Sequence, residues 1–252
     1  NLFTKKIYLK IPNRLSEGYG PNIRIMDEMR NNNVNLLFTL DCGTSSFNIL
    51  DNEKFVSIDT IIIDHHISEN KLPKVYSVIN PNRYDEDSLF KDMAAVGITF
   101  LFLMALRNKM RNKNIFKENF VEPNLINYLD LVALGTVCDI VKLTKHNRFF
   151  VKKGLELITK RKNKRIISIL DNSNIQSAPN SSDLGYIIGP QLNAASRLDD
   201  SSLPTKLLIN NNLEEIESIT RKLSLLNEKR KLIENKIFEE AIKQAEKQKD
   251  QR

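Results

Sequence analysis

Cysteine is scarce in this chain, with two residues in 252. That excludes a disulfide-stapled secreted scaffold and suits a reducing compartment. Long apolar runs are also missing. The longest, over residues 94–106, is interrupted by Gly97 and Thr99 and falls short of the roughly 20 residues a bilayer crossing needs. It reads as a core helix, and no membrane partner is expected. The opening residues Asn1-Leu2-Phe3-Thr4-Lys5-Lys6 lack the apolar stretch and cleavage site of a secretion signal. A cytoplasmic location is therefore expected. Histidine occurs three times, and two of the three are adjacent. Acids are nearly absent from residues 142–165, where ten Lys or Arg face the single Glu156.

The chain does have an apolar share large enough for a sizeable core, 41%, in one large domain or two. Its net charge is +7, concentrated in that basic stretch, as a phosphate-backbone footprint would be. A general richness in Lys, Asn and Ile accounts for scattered surface lysine equally well. Strand-like segments fall at residues 6–11, 35–40, 61–63 and 75–79, with helical segments or loops between them. This alternation predicts an α/β fold built on a parallel, doubly wound sheet with right-handed crossovers. Helices are expected from Pro21 to about Asn31, over residues 94–110 and 125–137, from about Asn147, and over 184–198. From Leu213 to about Lys249 no Pro or Gly interrupts the chain, and Ile216, Ile219, Leu223, Leu226, Ile233 and Ile237 recur at helical spacing. Such a helix would be about 55 Å long, too long to lie within one compact core.

Asp64-His65-His66 follows the β-branched run Thr60-Ile61-Ile62-Ile63, at the carboxyl end of a strand where open α/β sheets place their sites. Alone, the tripeptide could be a surface pair closing a strand. Asp41 closes the preceding strand, and Asp139 follows Leu134-Gly135-Thr136-Val137-Cys138. Carboxylates and imidazoles gathered from separate segment ends suit Mn²⁺ or Mg²⁺, with histidine favouring manganese. Asp139 could instead cap a helix and Arg14 could be a solvated loop charge. Asn193 could be a turn residue, and His146, in the basic stretch without an acidic neighbour, reads as surface. Cys42 and Cys138 flank two of these acids. They are either small buried residues filling space or a thiol pair that makes the site sensitive to oxidation or zinc.

Four spaced motifs occur in order: Asp41-x-Gly43; Asp64-His65-His66; Gly135-Thr136-Val137-x-Asp139-x-Val141-x-Leu143 with Asn147-Arg148; and Gly189-Pro190-x-Leu192-Asn193-Ala194-Ala195-x-Arg197-Leu198-Asp199-Asp200. They resemble the DHH phosphoesterase superfamily, and within it the RecJ family of single-stranded-DNA-specific 5′→3′ exonucleases. The loop Pro12-Asn13-Arg14 to Gly18-Tyr19-Gly20 and the segment Leu226-Asn227-x-x-Arg230 extend the likeness over nearly the whole chain.

The resemblance implies metal-dependent hydrolysis of single-stranded DNA to 5′-mononucleotides in repair and recombination, using two Mn²⁺ or Mg²⁺ ions in the complete enzyme. Asp41 would bridge the ions, and His65 and Asp139 would complete the second. His66 would face the scissile phosphate, oriented by Asp64. Arg14 and Arg197 would grip the terminal 5′-phosphate, with Asn193 beside them. A monomer is expected, with single-strand-binding protein or a helicase as possible partners.

The family's Asp-x-Asp motif would lie upstream of residue 1 and its C-terminal nucleic-acid-binding domain beyond residue 252. A fragment with impaired activity is therefore expected. It would have an incomplete DHH domain over residues 1–212 and an interdomain connector helix over 213–252. Lys142 stands where the family usually has Pro, and Ser196 where it has Gly. Two alternatives remain: a superfamily phosphodiesterase acting on oligoribonucleotides or cyclic dinucleotides, and a non-catalytic nucleic-acid-binding fragment.

Overall fold

A computed structural model of the chain describes residue 4, residues 6–117 and residues 120–249. Its first half is a three-stranded parallel sheet ordered β1 (Leu36–Leu40), β2 (Asp59–Ile63), β3 (Ser77–Ile79). Side chains alternate across a strand, and β2 uses both faces. Ile62 packs with α1 (Ile23–Asn31) and α2 (Phe47–Leu50), while Ile61 and Ile63 pack beneath α3 (Ala95–Asn112) and α4 (Leu129–Cys138). The expected parallel sheet with helices on both faces is present. α1 forms where Asn22 caps it, accepting from the Ile25 N–H at 3.0 Å, and it turns Ile25, Met26 and Met29 inward.

Two expectations for this half do not hold as stated. Residues 6–11 form no strand; Ile7, Tyr8 and Leu9 are exposed, and Lys10 pairs with Glu28 on α1. Among the described residues no strand lies beside them to complete a ladder. Residues 35–40 were expected to be a buried strand, yet only one face of β1 is covered. Leu37 and Thr39 face the core, while Leu36, Phe38 and Leu40 are exposed. α3 lies over β2 and reaches β1 mainly where Phe102 meets Phe38, ring centroids 6.0 Å apart.

The second half is helical: α5 (Lys145–Thr159), α6 (Lys164–Asn172), α7 (Ser181–Asp183), α8 (Gly189–Leu198), α9 (Leu203–Ile209) and α10 (Leu213–Lys249). The expected helix over 184–198 is not uniform, because Leu184–Ile188 is a π turn. Pro190 has no N–H to offer the Tyr186 carbonyl, and its ring crowds that oxygen. The turn widens, and the Gly189 N–H donates to the Leu184 carbonyl.

α10 confirms the expected continuous helix, but its first part is core. Ile216 and Leu223 are 2% and 1% exposed and pack with Ile169, Leu170, Ala195 and Leu207. A division at residue 212 therefore cuts through a packed cluster, and only residues 231–247 are exposed on every side. No helix among the described residues is long and apolar enough to cross a membrane.

α4 and α5 pack most closely at Gly154, where a Cβ would overlap the Leu129 carbonyl oxygen and the Ala133 Cβ. Alanine would gain about 1 kcal/mol of helix propensity. Overpacking against a backbone atom costs about 1–3 kcal/mol and wins. Gly154→Ala should destabilise the fold by a net ~0–2 kcal/mol, read as a lower urea midpoint at unchanged m-value.

Candidate active site

The strand register builds the site. Parallel pairing sets Leu40 opposite Ile63 and Ile63 opposite Ile79. The next residues, Asp41, Asp64 and Asn80, therefore form a row at the carboxyl ends of the strands. The Asp41 N–H donates to the Ile63 carbonyl at 2.8 Å, and the Asp64 N–H to the Ile79 carbonyl at 3.1 Å. Beyond this row β1 turns sharply. Asp41 has φ +62° and Gly43 φ +113°, both in the left-handed region that favours glycine. A Cβ on Gly43 would also lie 2.7 Å from Thr39 Oγ1.

Asp64 is 1% exposed and holds the turn together. Its Oδ1 accepts from the His65 N–H at 2.8 Å, the His66 N–H at 3.3 Å and His66 Nδ1 at 2.7 Å, and its Oδ2 from the Thr44 N–H at 3.1 Å. Burial pushes this carboxyl upward, but the hydrogen bonds from His66, Thr44 and His65 outweigh it and hold the group below the ordinary carboxylate range. The ionised acid is acceptor-only, so His66 Nδ1 must carry the proton and the ring orientation is fixed. Asn80 Nδ2 donates to the His66 carbonyl and to Thr44 Oγ1, both at 2.9 Å. Asn82 Nδ2 donates to the His65 carbonyl at 2.6 Å. These asparagines went unnoticed in the sequence because Asn80-Pro81-Asn82 reads as nothing more than a strand stop.

The turn presents His65 to two acids. Its Nε2 lies 3.3 Å from Asp41 Oδ1 and 3.3 Å from Asp139 Oδ2. Asp139 arrives from the other half of the chain as the residue that ends α4. Asp41, His65 and His66 also bring one ligand atom each within 4.8 Å of one another. The hydrogen bond to Asp41, opposed by burial and helped by the charge of Asp139, raises the affinity of His65 for its proton. Burial pushes the Asp139 carboxyl upward; His65 works against that, while Asp41 reinforces it. Apart from the His65 ring nitrogen 3.3 Å away, no donor reaches the buried Asp41 Oδ1. Asp139 also sits at the negative end of a helix. An orphaned carboxylate oxygen, a second acid beside it and a mixed N/O donor set fit a divalent cation.

Beside Asp139 opens a cleft of about 430 Å³. Its lining includes Asn193 and Arg197 on α8, Arg230 on α10, and Tyr186 and Ser182 at the π turn and α7. Asn193 and Arg197 are thus brought together next to the acidic cluster. Arg14 lies on an exposed turn, is not among the residues lining the cleft, and has no ion-pair partner among the described residues. The sequence reading missed Arg230 as a site residue, although the Leu226-Asn227-x-x-Arg230 segment had marked it. It also missed Tyr19, whose hydroxyl donates to the Asp41 carbonyl and whose ring meets His66 edge-on at 6.0 Å.

Burial, reinforced by Asp64 and Asp41, pushes the Cys42 thiol up to about 12, and burial with Asp139 pushes Cys138 up to about 11. Both stay protonated, and Cys138 packs under Gly189, as space-filling residues do. His146 is exposed as expected, with its ring 5.1 Å from Phe90.

The family described as "DHH family, N-terminal domain" matches residues 3–136. The chain belongs to the DHH family. It is 39% identical over 237 residues to a single-stranded-DNA-specific exonuclease RecJ of Salmonella typhimurium and 38% identical over 241 residues to that of Escherichia coli. These matches cover 92% and 94% of this chain but 41% and 42% of the relatives, so the chain spans about two fifths of their length.

Among solved structures it is similar to an exonuclease RecJ bound to manganese, with a TM-score of 0.78 and 27% identity over 93% of this chain and 57% of that one. It is also similar to RecJ of Thermus thermophilus in complex with Mn²⁺, with a TM-score of 0.72 and 25% identity over 87% and 31%.

Removing the charge of Asp64 should unfold the turn. Asp64→Asn should cost about 1–3 kcal/mol, since an amide cannot accept from all four donors. The folded carboxyl lies below its unfolded value, so its contribution is complete above about pH 4 and disappears as pH falls through the folded value. The gap between wild-type and variant urea midpoints should be constant near neutral pH and close on acidification.

Proposed function

We propose that this chain provides catalytic groups for metal-dependent hydrolysis of single-stranded DNA from its 5′ end, releasing 5′-mononucleotides. The observation that carries this reading is the convergence of Asp41, His65 and Asp139 at the mouth of an arginine-lined cleft. The relatives named as single-stranded-DNA-specific exonucleases, and the neighbours whose crystals hold Mn²⁺ or Mg²⁺, supply the substrate and ion classes.

Asp41, His65 and Asp139 would hold the ion, and Asp41 Oδ1, reached by no donor but the His65 ring nitrogen that would share that ion, is the natural first ligand. When bound, the ion activates water and neutralises charge on the phosphate. His66, whose Nδ1–H is held by Asp64, donates from Nε2 to a phosphate oxygen once its ring is protonated. The planar fork of Arg197 suits the terminal phosphate, and Asn193, one helical turn away, supplies an amide to the same end of the cleft. Arg14, on the loop whose Tyr19 donates to the Asp41 carbonyl, would share that role. On α5, the exposed Lys145, Arg148 and Lys152 form no salt bridge among the described residues and are available to a strand backbone. A DNA substrate, a basic surface and two reduced thiols also suit the cytoplasm.

Manganese binding and cleavage test the reading separately. Titrating Mn²⁺ into the chain and following the signal of the free aqueous ion should show uptake that Asp41→Ala and His65→Ala abolish. The same substitutions should slow release of 5′-mononucleotides from 5′-phosphorylated single strands by about 10²-fold or more. Uptake unaffected by either change would refute the metal assignment. Equal turnover of a dinucleotide and a long strand would refute the substrate assignment.

A further inference from the structure

The cleft next to Asp139 has a second side whose chemistry the phosphate-gripping role does not use. Tyr186 is 82% exposed, and its hydroxyl and ring have no hydrogen-bond or aromatic partner among the described residues. Ile140, also in the lining, is 91% exposed and has φ +57°. Two large side chains thus stand open to water within a cleft that also contains Arg197 and Arg230. An apolar wall beside a cationic wall matches the two halves of a nucleotide.

The backbone explains how Tyr186 is held there. Pro190 forces the π turn Leu184–Ile188, and such single turns recur at functional sites. Ser182, Tyr186, Pro190, Asn193 and Arg197 follow one another at three- or four-residue steps and line one side of the cleft. Gly189, between the two ends of this row, lies against Cys138, so the row passes the end of α4 that bears Asp139. Tyr186 and Arg197 are 11 residues apart, about 16 Å of helix, against 3.4 Å for a stacked nucleotide step. The two side chains therefore serve different nucleotides.

We propose that Tyr186 is a stacking platform for a nucleobase of the bound strand, on the other side of the acidic cluster from the nucleotide whose phosphate Arg197 holds. This rests on the single-stranded-DNA reading above. Every base has a π-face, so the platform would grip the strand without selecting a sequence.

The test is an abasic scan. A 5′-phosphorylated single strand is made with one abasic nucleotide at each successive position from the 5′ end. Affinity for the chain is read by fluorescence anisotropy. Base–aromatic stacking is worth about 1–3 kcal/mol, so wild type should lose about 5- to 150-fold in affinity at one position. Tyr186→Ala should lose the same amount with the intact strand and nothing further at that position. Tyr186→Phe should keep the wild-type profile, because stacking needs the ring and not the hydroxyl. The ring is exposed, so neither change removes core packing, and unchanged thermal melting checks this.

If the wild-type profile persists unaltered in Tyr186→Ala, the stacking role is overturned while the DNA reading stands. If the wild-type chain binds no single strand, the DNA reading falls and takes the stacking role with it.

Discussion

A carboxylate buried to 1% exposure survives in this fold because four donors reach it, and the rest of the site depends on that arrangement. An unpaired ionised acid in such a place would be too costly to remain charged. Asp64 remains charged by folding the backbone of the two histidines around itself and tying in Thr44 from the loop after β1. Adjacent residues on a strand would point to opposite faces. The curl around Asp64 lets His65 reach Asp41 and Asp139 while His66 is held by its Nδ1. The left-handed Asp41 and the Asn80 and Asn82 amides complete the same turn from the flanking strands.

The two halves of the chain meet at this point for a packing reason. α4 is apolar nearly all round. It contributes Leu129 and Val132 to the core beneath the sheet and Ala133 and Leu134 to the core of the helical half. Its end is therefore fixed relative to both, and Asp139 inherits that precision. α8 packs against the same helix end through Gly189, which brings the arginine-bearing side of the cleft alongside the acids. α10 closes the back of the helical core with Ile216 and Leu223 and contributes Arg230 to the cleft before running clear of the body. The cleft is thus bounded by elements that share one hydrophobic core. Its cationic side is as well supported as its acidic one.

The sequence made some elements readable and hid others, for identifiable reasons. The long apolar run disclosed α3, helical spacing disclosed α10, and runs rich in β-branched residues disclosed β2 and β3. The run at residues 6–11 had the same local signal and failed, because a strand also needs a partner, and none among the described residues lies beside it. The uniform helix expected over 184–198 overlooked the consequence of Pro190 four residues after Tyr186. Short α7 and α9 have too few turns for a pattern to show, whereas α6 was passed over although Ile166, Ile169 and Leu170 recur at helical spacing.

For the site, local chemistry named the donor types. Asp41, Asp64, His65, His66 and Asp139 could be picked out because acids and imidazoles recur at the ends of separate segments, although each alone has a structural use as a cap or strand stop. The resemblance to a family ordered them into roles. What only the tertiary structure decided was which of the chosen residues meet. It placed Asp139 within 3.3 Å of His65 across more than 70 residues of chain. It also added Tyr186 and Arg230 to the same cleft. The physical reason is that side-chain chemistry is local to each residue. Proximity is set by strand register and helix packing, which depend on the whole chain at once.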